Sequence, residues 1–469
     1  MNTRVLDDRV QVLNSCPARD TGQYVLYAMR SAQRVEDNPA LSLAVMRANE
    51  LGKPLVVAFC LLLDFPEANL RHFTFMLEGL AETMPAMAKL GATPVLVRGD
   101  WAQEMSRLAQ IACEVVLDKG YLRLHRQDVA KLLSQVECRV FEVEGEAVVP
   151  VEVASEKAEY AARTLRPRVN RHLKDFLVRA PLPKLSTRDS KLALESLHGG
   201  LDDIAEFLKG KHFDRSVSPA SKFFRGGPSQ AQKHLQTFLD QRLRAYDDER
   251  NQPQHDFTSN MSLYLHYGMI SPVDLALQVT EASHPKDPQV ESYLEELVVR
   301  RGLGQNFCHF QSEYDSWGAL PEWARKTLTA HKKDSRPHLY TRENLENAET
   351  HDPYWNAAQI EMVETGYMHN YMRMYWGKKI LEWSSSPEYA HGTTLYLNNK
   401  YFLDGRDPVS FANVGWIFGL HDRPWQEREI YGTVRCMMAS GLERKCDPKA
   451  YVKKVATLTG RRVPGASAS

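Results

Sequence analysis

The chain reads as an α/β domain built on a parallel sheet, followed by an all-helical domain. Three observations predict this. Short apolar runs alternate with amphipathic stretches between residues 24 and 142, the pattern of strands joined by crossover helices. From about residue 204 β-branched runs become rare and helix-starting and helix-ending residues become frequent. At 469 residues the chain also exceeds one ordinary domain.

The elements follow in order. Residues 1–20 are polar and read as a flexible N-terminus. The α/β unit takes residues 21–152, with strands predicted at 24–29, 55–61, 93–98, 114–117 and 139–142. Helices are predicted at 40–51, just after Pro39, a common helix-start residue, and at 73–90. No Gly-x-Gly-x-x-Gly follows the first strand, so the standard dinucleotide fingerprint is absent. Residues 153–203 read as an interdomain linker: a helical stretch from Lys157 that stops at Pro167, then the proline-containing Arg179-Ala-Pro-Leu-Pro-Lys. The helical domain takes residues 204–460, and 461–469 form a flexible tail.

The composition, 43% apolar and 25% charged, is that of a globular protein. With 59 basic and 59 acidic residues, net charge gives no sign of a nucleic-acid partner. Its distribution does: residues 421–462 hold ten Lys or Arg against five Asp or Glu, a local excess that suits a DNA footprint or a solvated helix face equally well. Seven scattered cysteines without a Cys-x-x-Cys argue against a disulfide framework, and nothing resembles a metal-ligand set. The longest apolar run, from Pro54 to Leu63, is too short for a membrane span, and no apolar leader opens the chain. A cytoplasmic monomer, free of membrane, is the expectation.

Five of the eight tryptophans, Trp355, Trp376, Trp383, Trp416 and Trp425, lie between His351 and Met438 among His, Asn, Arg and Asp. On a helix Trp376 and Trp383 share a face about 10 Å apart. That separation suits electron hopping between indoles, although any arbitrary pair is more often core packing.

Six segments in register carry a resemblance: Leu294-Glu-Glu-Leu-Val-Val-Arg-Arg, Asn306-Phe-Cys, His351-Asp-Pro-Tyr-Trp-Asn-Ala-Ala-Gln, Met368-His-Asn-Tyr-Met-Arg-Met-Tyr-Trp, Leu403-Asp-Gly-Arg-Asp-Pro and Gly419-Leu-His-Asp-Arg-Pro-Trp-Gln-Glu-Arg. Together they resemble the class II cyclobutane pyrimidine dimer photolyases, from about Tyr24 to Tyr451. The resemblance implies a Rossmann-like antenna domain and a helical FAD domain. It implies blue-light-driven repair of pyrimidine dimers in double-stranded DNA, with FADH⁻ giving an electron to a flipped-out dimer. A deazaflavin or a folate antenna is implied as an option. The rivals are a cryptochrome-like photoreceptor without repair activity and a flavin-independent DNA-binding protein.

Site residues carry over one by one. Thr258, Ser259, Asn260, Met261 and Ser262 match the segment that holds the FAD pyrophosphate; read alone, they are more readily a helix N-cap. Tyr246, Arg301 and Asp407 match further FAD contacts. Asn370, Arg373 and Asp404 match residues around the flavin, where an Arg373–Asp404 pair is equally an ordinary ion pair. Asn398 matches the asparagine that faces flavin N5, an amide able to donate or accept; Asn399 is its neighbour and rival. Trp376, Trp383 and Trp355 match the photoreduction chain, which starts at a surface indole. Glu296, Met374 and Trp416 match residues that contact the dimer, and Arg250, Arg423 and Arg435 are candidate DNA contacts.

The chain departs from the family at four places. Leu263 stands where proline is usual, Gly302 where a carboxylate is usual, and Arg300 where some relatives have a second lesion-packing tryptophan. The loop at Gly419-Leu-His421 is one residue short of some relatives. Gly302 and Gly304 in a helix each cost about 1 kcal/mol relative to alanine, which predicts a locally loosened helix.

Overall fold

A computed structural model describes residues 8–187, 192 and 194–466. The calls on residues 1–7, 188–191, 193 and 467–469 lie outside the described residues. Strands β1 (Val10–Val12), β2 (Tyr24–Met29), β3 (Leu55–Leu61), β4 (Thr93–Arg98), β5 (Ala112–Asp118) and β6 (Arg139–Val143) form one sheet in the order β1-β6-β5-β2-β3-β4. All pairings are parallel except β1 with β6.

Residues of alternate parity face opposite sides of the sheet. Val25, Tyr27 and Val57 pack on helices α1 (Pro39–Leu51) and α2 (Leu70–Leu90). Leu26, Val56 and Val95 pack on α3 (Trp101–Ala109) and α4 (Arg123–Leu133). A sheet buried on both faces explains why these strands read as continuous apolar runs. Helix α1 opens on the Asn38 side chain, with Pro39 at its first position, and closes on Gly52 at φ 61°, a left-handed turn that favours glycine.

Three expectations about the connecting segments need correction. Residues 10–12 are a paired edge strand, and Arg9 is buried: it donates to the carbonyls of Glu144, Ala147 and Val148 at 2.9, 3.0 and 2.7 Å. A polar sequence was misleading because one guanidinium satisfies three buried acceptors. Pro167 does not end its helix, which runs from Ala162 to Phe176. Only one backbone bond is lost there, while Leu165, Val169 and Phe176 bury an apolar stripe. The described part of the tail, residues 461–466, is anchored through Val463, 2% exposed, and through Asn356 Nδ2 donating to the Pro464 carbonyl at 3.2 Å.

The helical domain is organised around α5 (Arg301–Phe310), α6 (Pro353–Thr365), α7 (Asn370–Trp383), α8 (Pro387–Tyr401), α9 (Pro408–Ile417) and α10 (Pro448–Thr459). Each of α6, α8, α9 and α10 begins with proline after an Asp or Ser cap. The two domains meet where α8 ends. Terminal helix carbonyls need outside donors, and the first turn of α2 supplies them. Asn69 Nδ2 donates to the Lys400 carbonyl at 2.8 Å and Arg71 to that of Tyr401 at 2.9 Å, while His72 Nε2 lies 3.0 Å from the Phe402 oxygen. This fixes the 402–407 loop that follows. Among the described residues no helix is long and apolar enough to cross a membrane.

The two glycines of α5 are not equivalent. A Cβ on Gly304 would lie 2.7 Å from the Val409 backbone of α9, whereas one on Gly302 would meet only Leu165, at 3.8 Å. Gly304 therefore permits a close helix crossing, which corrects the expectation of a loosened helix there. Gly304→Ala should lower stability by about 1–3 kcal/mol through overpacking. Gly302→Ala should raise it by up to about 1 kcal/mol. Thermal unfolding of the two variants side by side checks both signs.

Candidate active site

The tryptophans of α6 and α7 form a line, but not in the order that sequence spacing suggests. Trp355 lies between the other two, with ring centres 6.5 Å from Trp376, nearly parallel, and 5.8 Å from Trp383, edge-on. The indole N–H of Trp355 donates to the Trp376 carbonyl at 2.9 Å, and that of Trp376 to Gln359 Oε1 at 2.8 Å. Buried indoles need such partners, and Gln359, on α6 with Trp355, closes one of the six motifs although the sequence assigns it no role. At the inner end Trp376 meets Phe402, which lies 4.0 Å beneath the Arg373 guanidinium. At the outer end Trp383 is only 2% exposed. Tyr340 and His351 cover it edge-on at 5.5 and 5.1 Å, so the expected surface indole is a covered one. The cover stays put because Tyr340 N–H donates to the Trp383 carbonyl at 3.1 Å.

Arg373 makes a two-pronged pair with Asp404 at 3.0 and 3.2 Å, and its Nε donates to the Met368 carbonyl. The guanidinium also lies 5.5 Å from the Tyr367 ring, whose hydroxyl is 3.1 Å from Thr258 Oγ1. The 258–262 segment and the Arg373–Asp404 pair are thereby neighbours. Asn260 takes a left-handed φ of 59° and opens the helix Met261–His266. Ser259 accepts from Tyr293, which packs on Tyr246 at 5.2 Å. Tyr246 in turn lies under Arg250, and Arg250 pairs with Glu296 at 3.1 Å. Glu296 sits in a π-helical turn, Glu295–Arg300, between two α-helical stretches, the kind of wide turn that often carries functional residues. Ser262 and Asn370 are exposed.

Other assigned residues are more occupied. Arg301 is buried and donates to the carbonyls of Glu146 and Leu265, a bridge between domains. Asp407 caps α9 and faces His266 at 3.2 Å. Asn398 is held by Ser410 Oγ at 2.9 Å and donates to Asn399 Oδ1 at 2.8 Å. Asn399 itself is spent on Glu67 of the other domain and on the Arg406 amide. Arg300 joins Arg166 around Glu295 in an exposed ion cluster.

A surface cavity of about 390 Å³ opens beside α7. Met374, Trp416 and Arg435 line it, together with Tyr371, Trp425, Arg428 and Cys436, which sequence reading did not assign. Tyr371 and Met374 are three residues apart on α7, a spacing that puts them on one face. Arg435 pairs with Asp422 at 3.1 Å and stacks on Trp425 at 4.1 Å; Arg423 approaches the same ring at 5.4 Å.

The loop bearing Arg428 is clamped from behind. His331 Nδ1 is 2.6 Å from Asp334 and its Nε2 is 2.9 Å from Glu427, while Asp334 also accepts from the Ile430 amide at 2.8 Å. Hydrogen bonds to Glu427 and then Asp334 raise the His331 pKa above 6.5. Its stabilising contribution is therefore complete below about pH 6.5 and fades as pH rises through the higher folded value. Exchange of the Ile430 amide, corrected for its intrinsic rate, should quicken as pH rises above about 6.5; His331→Gln should flatten that profile.

Comparison with known proteins agrees with this architecture. A DNA photolyase family model matches residues 25–186. A deoxyribodipyrimidine photo-lyase from Methanothermobacter thermautotrophicus is 43% identical over 448 residues, covering 96% of this chain and 98% of that protein. Those of Oryza sativa subsp. japonica and Potorous tridactylus are 39% and 37% identical, covering 97% and 95% of this chain and 91% and 84% of theirs. Among solved structures, a class III photolyase from Agrobacterium tumefaciens superposes with a TM-score of 0.70 at 18% identity, covering 95% of this chain and 88% of its own. A cryptochrome from Synechocystis sp. PCC6803 gives 0.70 at 16%, covering 95% and 90%. At such identities the two structures speak to the fold alone. With 43% identity along nearly its whole length to one photo-lyase, and a DNA photolyase family model over residues 25–186, the chain belongs to the DNA photolyase family.

Proposed function

We infer that this chain is a light-driven lyase that repairs cyclobutane pyrimidine dimers in double-stranded DNA, using FAD. One observation carries the reading. Within four residues α7 presents Arg373 of the buried ion pair, Met374 of the surface cavity and Trp376 of the indole line. An electron relay, an anion-stabilising pair and a DNA-side cavity therefore share one rigid element.

The residues present fit FAD. Hydroxyls at Thr258, Ser259 and Ser262 and the amide of Asn370 suit a pyrophosphate and a polyol chain. The Arg373–Asp404 pair suits a ring system that becomes anionic on reduction. When bound and reduced, FAD supplies the light-excited electron donor. The protein's own work is to hold donor and acceptor. Trp383, Trp355 and Trp376 pass electrons inward when the cofactor arrives oxidised. Asn398, whose two amide N–H groups are taken by Asn399 and Ser410, would meet the flavin edge through the remaining acceptor capacity of its carbonyl oxygen. Trp416 and Met374 receive the flipped dimer; the lesion already weakens stacking, so flipping is cheap. Glu296, held by Arg250, hydrogen-bonds the damaged bases. Arg423 and Arg435 meet phosphates or fill the space the dimer leaves, so affinity should fall steeply with salt.

The two antenna classes, deazaflavin and folate, remain proposals for the N-terminal domain, told apart by absorption outside the flavin bands. A monomer is proposed, readable by light scattering.

The test is repair of a thymine-dimer oligonucleotide by the reduced protein in blue light and in darkness. Loss of dimer only in light supports the lyase reading. No repair by protein carrying its full flavin would favour a photoreceptor instead.

A further inference from the structure

Lys378 is fully buried. It lies one helical turn beyond Met374 on the same face of α7. Its ammonium donates to the Ile417 carbonyl, at the end of α9, and sits 4.9 Å from the centre of the Trp416 ring. Among the described residues no carboxylate comes within ion-pair distance of it. Glu382 is taken by Lys379 at 2.7 Å and by the Tyr431 hydroxyl at 2.8 Å, and Asp422 by Arg435 at 3.1 Å. A buried ammonium without a counterion is unfavourable, and a methionine would fill similar space. What the charge does meet is a helix C-terminus, the negative end of the dipole, and the face of an indole. Both belong to the same last turn of α9.

We propose that Lys378 is the positioning residue for Trp416: it pins the last turn of α9 through Ile417 and holds the indole as the wall of the lesion cavity. This rests on the reading of Trp416 as the surface on which the dimer packs. Arg435, 5.6 Å from the same ring, does not replace it, because Asp422 and Trp425 already engage that guanidinium.

The grip is conditional on pH. Burial lowers the Lys378 pKa from 10.5 to about 7; nearby Asp422 and Cys436 act to raise it, and Arg435 to lower it. Below about pH 7 the ammonium both donates to Ile417 and attracts the indole face. Above it the neutral amine can still donate to Ile417 but no longer attracts the indole face as a cation.

The experiment measures binding, in darkness, of the flavin-loaded protein to a duplex with one thymine dimer and to the same duplex undamaged. It covers about pH 6 to about pH 8.5 for wild type, Lys378→Met, Lys378→Arg and Trp416→Ala. The ratio of the two affinities cancels general phosphate binding. In wild type it should fall about three- to ten-fold as pH rises. Lys378→Met should be low and flat; Lys378→Arg, charged throughout, should be flat and above Lys378→Met. A wild-type ratio and pH profile in Lys378→Met, with Trp416→Ala strongly reduced, would overturn the role of Lys378 alone. An unchanged ratio in Trp416→Ala would overturn the reading of the cavity wall itself.

Discussion

Trp355→Phe should abolish light-driven reduction of the oxidised flavin while leaving repair by prereduced protein at the wild-type level. The reason is positional. Trp376 and Trp383 make no ring contact with one another among the described residues, and each touches Trp355. The line therefore has one middle member, and phenylalanine there is too hard to oxidise to relay an electron. The same exchange removes one N–H···O bond to the Trp376 carbonyl and some buried volume. A stability loss of about 1–3 kcal/mol should accompany it, small enough for a folded, flavin-loaded protein. Absorbance during blue illumination with an external reductant reads the first effect, and dimer repair after chemical reduction reads the second. Trp376→Phe and Trp383→Phe should behave alike, since a linear relay fails at any link. Photoreduction persisting in Trp355→Phe would mean that electrons enter by another route.

Asp404→Ala should cost about 3–5 kcal/mol of stability, the loss typical of breaking one side of a buried ion pair, and should sharply lower the flavin-to-protein ratio. Asp404 is 6% exposed, and its carboxylate takes both prongs of Arg373. Without it the guanidinium keeps its Met368 and Phe402 contacts but loses the one carboxylate it pairs with among the described residues. The uncompensated charge then either strains α7 or swings away, and α7 also carries Trp376 and Met374. Asp404→Asn should retain more stability than Asp404→Ala because one hydrogen bond can persist. Thermal unfolding and the visible-to-ultraviolet absorbance ratio measure both effects. A fully yellow Asp404→Ala protein with wild-type melting would place the flavin's support elsewhere.

Much of this protein is legible in its residues taken in order. Strands buried on both faces announce themselves as apolar runs, and proline after Asp or Ser marks helix starts at 353, 387, 408 and 448. The six motifs name the family and nominate Arg373, Asp404, Glu296 and the three indoles. What they could not supply was order and company. Sequence spacing joined Trp376 to Trp383, whereas α6 packing on α7 inserts Trp355 between them. Gly304 looked like a weakness of α5 until α9 was seen to cross at that point. Arg9 and Lys378 gave no sign, because a polar side chain in a core is explained only by acceptors and rings that arrive from distant segments. Local patterns report which face of an element is apolar. Which charges meet, which ring covers which, and where a cavity opens depend on contacts between elements far apart in the chain, and only the tertiary structure decides them.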